Sequence, residues 1–243
     1  MNDHKPSPVL LQHDRVIETI AVLRRRIEER FPGSGLSALC GELLLIAQQS
    51  SQRARSINQP NWPIRIVTLL LASAMVLGLA ITIGYAIRSM DADDVRPLDW
   101  IAIVEAGLND IIFFVLAIFF LVSLDRRIKR RRAIQAIHEL RAVAHVVDMH
   151  QLTKNPERSA RDWERTEHSP TRTMTPFQLN RYLDYCSEML SLVGKLAALY
   201  VQKFDDPAAL AAVSEVEQLT TSLSRKIWQK IMILEAWQPK DKT

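Results

Sequence analysis

Residues 66–87 read IVTLLLASAMVLGLAITIGYAI, a run of 22 positions without a charged side chain. As an α-helix this run extends roughly 33 Å at about 1.5 Å per residue, enough to cross a hydrocarbon layer of about 30 Å. Trp62, Pro63 and Arg65 precede it, and Tyr85 and Arg88 close it, so aromatic and basic groups fall where the two membrane surfaces would lie. A buried helix of a water-soluble core rarely keeps so long a run free of charge. The stretch is read as a transmembrane span, about residues 65–88.

Working outward toward the C-terminus, Ile111 to Leu124 is a second apolar run, 14 residues long. It covers only roughly 21 Å, so a spanning helix must recruit residues before it. Extension back to Trp100 gives a second span, about 100–124, that brings Glu105, Asn109 and Asp110 to or into the membrane. The connection 89–99 is too short to recross a bilayer, so the two spans are expected to form an antiparallel hairpin. That connection holds Asp91, Asp93, Asp94 and Asp99 against one arginine, Arg96, whereas Arg53, Arg55 and Arg65 precede the hairpin and Arg126, Arg127, Lys129, Arg130, Arg131 and Arg132 follow it. The bias of basic residues predicts a multi-pass protein of the inner (plasma) membrane, with both termini cytoplasmic and the acidic loop outside. No cleavable signal peptide is expected, because residues 1–63 are charged throughout.

The whole chain of 243 residues is 48% hydrophobic and 24% charged, with 7 glycines and 11 prolines, proportions that exclude a disordered chain and favour helix over an all-β fold. Net charge is +4, but the excess is clustered and speaks to local partners. Two cysteines, Cys40 and Cys186, lie too far apart for a metal motif and are expected to be free thiols in a reducing compartment.

The flanking regions read as cytoplasmic amphipathic helices. Residues 8–31 form one, with Val9, Val16, Ile20, Leu23 and Ile27 on its buried side. Pro32-Gly33-Ser34-Gly35 ends it, and a second helix runs from Ser37, its expected N-cap, to about Arg55 over Leu39, Leu43, Ile46 and Ala47. This N-terminal pair occupies 1–57, a proline-bearing linker 58–63, the hairpin 64–125 and a helical bundle 126–243. No breaker appears between Trp100 and Leu152, so the second span is predicted to continue into the cytoplasm as one long helix striped by Ile134, Ile137, Leu140, Ala144 and Val147. Residues 153–174 form a polar loop, with room for a short helix from Pro156 to Arg165. Thr175-Pro176-Phe177-Gln178 is a capping box with proline in the first turn, and Met174 and Leu179 are placed as its hydrophobic staple. The following Leu179, Tyr182, Cys186, Met189, Val193, Leu196 and Tyr200 keep the alternating 3 and 4 spacing of coiled-coil-like helix association. Asp206-Pro207 opens the last helix, with Leu210, Val213, Val216, Leu219, Leu223, Ile227, Ile231 and Leu234 on its apolar side. The fold class is all-α.

Three groups of residues invite a functional reading. Glu105, Asn109 and Asp110 share one polar arc of the second span, and depth matching across the hairpin sets Gly78 near Asp110 and Thr82 near Glu105. Ala74-x-x-x-Gly78 and Ala80-x-x-x-Gly84 are small-residue pairs that permit close helix approach. Such an intramembrane cluster either caps local polar groups, with Glu105 paired to Arg88 or Arg96, or lines a surface shared between subunits. Arg126, Arg127, Lys129, Arg130, Arg131 and Arg132 place six positive charges where anionic lipid headgroups lie, and they also serve as a stop-transfer signal; no recognition fold accompanies them, so nucleic acid is not an expected partner. His138, His145, Asp148 and His150 lie on the long helix, but their spacing gives two metal ligands at most. No phosphate loop, nucleophile elbow or paired-cysteine motif is present. No cofactor or metal is expected.

The order of elements (helix pair, two-pass hairpin, continuous helix, helical pair) resembles the two-span effector modules of bacterial defence systems, the SLATT-type class. There a membrane hairpin is fused to helices that assemble on a signal. The resemblance lies in layout and not in motif residues. The resulting expectation is a non-enzymatic, oligomeric integral membrane protein. Its partners are the bilayer, further copies of itself and a cytoplasmic protein. The alternatives are an oligomeric ion or proton conduit built on the acidic cluster, a scaffold docking a soluble partner and, least favoured, a metal-dependent membrane enzyme.

Overall fold

The computed structural model describes residues 11–58, 62–90, 97–156, 167–168, 174–202 and 204–236. Among them all regular structure is helical: α1 (His13–Arg30), α2 (Gly35–Asn58), α3 (Trp62–Met90), α4 (Pro97–Leu152), α5 (Pro176–Val201) and α6 (Pro207–Ala236). The chain divides into two compact units, one of residues 1–58 with 132–243 and one of residues 59–131. Helix α4 contributes to both.

The first unit joins the N-terminal pair to the C-terminal helices around one core. Helix α5 is its centre, packing on α1, α2 and most extensively α6. The seven heptad positions of α5 are all buried, and so are Leu183, Tyr185, Leu190, Leu192 and Leu199 on its other sides. A helix apolar nearly all round belongs inside a bundle. The heptad seam is thus used within the chain.

Local chemistry sets the helix ends. The Gln178 N–H donates to Thr175 Oγ1 at 3.2 Å, and the Thr175 N–H donates to Gln178 Oε1 at 2.8 Å, completing the capping box. Leu179 is buried and Met174 packs against the core. Asp206 Oδ1 accepts from the Ala208 and Ala209 N–H groups at 3.1 and 3.2 Å, starting α6. Gly33 turns the chain between α1 and α2 at φ +65°, in the left-handed region that favours glycine.

Several boundaries differ from the sequence reading. Helix α1 begins at His13, after an extended Gln12 with no side-chain cap; the expected start at residue 8 lies outside the described residues. Helix α2 is capped by Ser34 rather than Ser37: Ser34 Oγ accepts from the Ser37 N–H at 3.2 Å, while the Ser37 hydroxyl donates to Glu28. On α6 the expected Val213, Val216, Leu223, Ile227, Ile231 and Leu234 are buried, but Leu210 is 43% exposed, and the neighbouring Ala209 and Thr220 are buried where Leu210 and Leu219 were expected. A shift of one residue turns a side chain by about 100° around the axis. The expected short helix after Pro156 lies outside the described residues.

The second unit holds α3 and the first part of α4. Two stretches, Trp62–Gly84 and Gly107–Leu152, contain windows long and apolar enough to cross a membrane, and none of either window is buried within the chain.

Candidate functional site

Among the described residues, the expected polar cluster of the two apolar helices is not brought together. Thr82 Oγ1 donates to Gly78 O at 2.9 Å, inside its own helix. Glu105 and Asn109 are exposed on α4, and the side chain of Asp110 lies outside the described residues. Among the described residues no ion pair joins Glu105 to Arg88. Among the described residues, a Cβ added to Gly78 or Gly84 of α3, or to Gly107 of α4, would meet open space.

In the basic run, Lys129 Nζ sits 3.0 Å from Asp125 one turn earlier, which neutralises that charge locally. Arg126, Arg127, Arg131 and Arg132 are exposed.

The histidines of α4 are separated by their packing. His138 and His145 are exposed, Asp148 accepts from Gln151 Nε2 at 2.5 Å, and the His150 ring lies against Gly35. Among the described residues no three His, Cys, Asp or Glu side chains are placed to share a metal ion.

Packing of α4 onto the bundle uses polar ties the sequence did not announce. Arg53 Nη1 donates to Glu139 Oε2 at 2.5 Å, linking α2 to α4 and raising the guanidinium pKa further. Arg141 pairs with Glu215 of α6 at 3.1 Å, and Lys230 of α6 donates to Gln151 O at 2.8 Å and to its Oε1 at 2.6 Å. Tyr200, at the end of α5, is buried beside Arg53; burial pushes its phenol up to about 12, with the nearby guanidinium opposing. Burial likewise pushes the Cys40 thiol up to about 11 and the Cys186 thiol up to about 12, so both stay protonated and unreactive at neutral pH.

A groove that sequence reading missed runs between α1, α5 and α6, with a volume of about 810 Å³. Val16, Leu192, Ile227 and Ile231 form its floor, and Trp228, 61% exposed, stands at its side. Arg15, Thr19, Asp184, Glu188 and Lys195 add polar walls. One signal was available in the sequence: Lys195 is the only charge between Met189 and Val201.

This architecture defines an all-helical bundle protein carrying two helices long and apolar enough to span a membrane. Compared with known proteins, the chain matches no family model, no curated protein and no solved structure.

Proposed function

We propose that the chain is a non-enzymatic, oligomeric protein of the inner (plasma) membrane, with a two-span hairpin and both termini in the cytoplasm. Its helical bundle couples association or partner binding to the hairpin, in a signalling, effector or scaffold role. One observation carries this reading. The bundle buries its apolar side chains internally, whereas the two spanning windows bury none. Leu69, Leu70 and Leu77 on α3, and Phe113, Phe119 and Phe120 on α4, are each more than 60% exposed. An apolar surface that large is stable only against lipid or against another protein.

The heptad positions of α5 lie inside the chain's own core, so self-association falls to other surfaces. The open faces at Gly78 and Gly84 suit it, because small residues let backbones approach closely where lipid offers no hydrophobic drive. The test is the mass of the protein in native-lipid nanodiscs. A defined oligomer is expected, dissociating in the Gly78→Leu, Gly84→Leu double variant. A monomeric parent chain would refute the proposal.

A conduit is the second reading, favoured by the exposure of Glu105 and Asn109, polar groups that an assembly would have to cover. Under it, Asp110→Asn abolishes liposome conductance without changing the oligomer. Unchanged flux removes that reading.

A further inference from the structure

The groove between α1, α5 and α6 is polarised along its length. Helices α1 and α5 run antiparallel. Phe31 packs edge-on to Tyr182 with ring centroids 5.5 Å apart, and Arg26 lies 5.2 Å over the Tyr185 ring and 2.9 Å from Glu188. Carrying that register forward at about 1.5 Å per residue sets Lys195 level with about Thr19, one turn from Arg15. Helices α5 and α6 also run antiparallel, with Gly194 opposite Thr220. The same count places Trp228 level with about Cys186. The groove therefore has Arg15, Thr19 and Lys195 at one end, and Trp228 with Asp184 and Glu188 toward the other.

The charges at the two ends are not equivalent. Glu188 is held by Arg26 at 2.9 Å and Asp184 by Arg181 at 3.3 Å, so both carboxylates are neutralised from outside the groove. Neither Arg15 nor Lys195 has a carboxylate partner among the described residues, and the Lys195 ammonium donates to Ser191 Oγ at 2.6 Å. What remains is a cationic end joined to an apolar floor that reaches an exposed indole about nine α5 residues away, roughly 13 Å. The volume of about 810 Å³ lies in the range of small-molecule sites, roughly 300–1,000 Å³.

We propose that this groove binds a linear amphiphilic anion. Its apolar stem lies along Val16, Leu192, Ile227 and Ile231 toward Trp228, and its carboxylate or phosphate head is held by Arg15 and Lys195. The site lies wholly within the first unit and does not depend on the oligomeric reading above.

The experiment uses the full chain in lipid nanodiscs with a photoactivatable dodecanoate, followed by peptide mapping. Labelling of α3 and of the lipid-facing part of α4 reports simple partition into the bilayer and serves as the internal reference. Labelling is also expected on peptides covering residues 11–19 and 227–232. The Arg15→Glu, Lys195→Glu double variant should lower groove labelling at least tenfold relative to the spans. Should that variant lose helicity, Arg15→Gln with Lys195→Gln replaces it, with a loss of at least threefold expected. Unlabelled dodecanoate or dodecyl phosphate should compete, the stronger competitor identifying the head as carboxylate or phosphate, while dodecyltrimethylammonium should not. The proposal is overturned if the groove peptides stay unlabelled, if charge removal leaves their labelling unchanged relative to the spans, or if the cationic amphiphile competes equally.

Discussion

Leu183 and Leu70 are the same side chain in the same secondary structure, yet Leu183 is wholly buried and Leu70 is 63% exposed. The difference lies in what each helix has around it. Helix α5 is surrounded by α1, α2 and α6, so its apolar surface is removed from water by the chain itself. Helix α3 has a window long and apolar enough to cross a membrane, and none of that window is buried by the chain; under the membrane reading proposed above, lipid takes the place of neighbouring helices. Helical propensity is common to both units; only the source of apolar burial separates them.

The strongest way to break this contrast is to charge α3. Leu70→Arg with Leu77→Arg adds about 2.5–3.5 kcal/mol per residue to insertion, and the variant should disappear from carbonate-washed membranes. Full retention would remove the contrast. Next in size, Leu183→Ala should cost the bundle about 2–5 kcal/mol through the cavity it leaves, read as a fall in thermal midpoint by circular dichroism. Leu70→Ala should leave that midpoint nearly unchanged. Removing the α6 cap with Asp206→Ala should cost about 1 kcal/mol in the same measurement. The Arg53–Glu139 pair is partly exposed at both side chains, so Glu139→Gln should cost no more than about 1 kcal/mol, and less at high salt.

The smallest effect concerns Glu28. Its carboxyl is held below the usual range by the Ser37 hydroxyl first and the Gly33 N–H second. A folded pKa below the unfolded value, about 4.3, gives stabilisation that is present above that value and lost as pH falls through the folded pKa. Ser37→Ala should move the Glu28 midpoint upward in an NMR titration.

Some of this was legible in the sequence and some was not, for physical reasons. The Thr175–Gln178 box, the Asp206 start and the unbroken α4 are local signals, and local geometry satisfies them. The heptad of α5 revealed one seam but not the second, because Tyr185, Leu192 and Leu199 are buried by helices distant in sequence. Ser34 and Ser37 are equivalent as sequence caps; Glu28, reached across the turn, engages the second and leaves the first to the backbone. The groove was invisible because Arg15, Lys195 and Trp228 come from three separate helices.

The two thiols carry a practical dividend. Cys40 and Cys186 are the only cysteines, and both are sealed in the bundle interior. Maleimides and disulfide-forming oxidants should pass the native polypeptide by. A single new cysteine introduced on α3 would then report alone, and the association proposed above becomes testable by crosslinking without first rewriting the protein's interior.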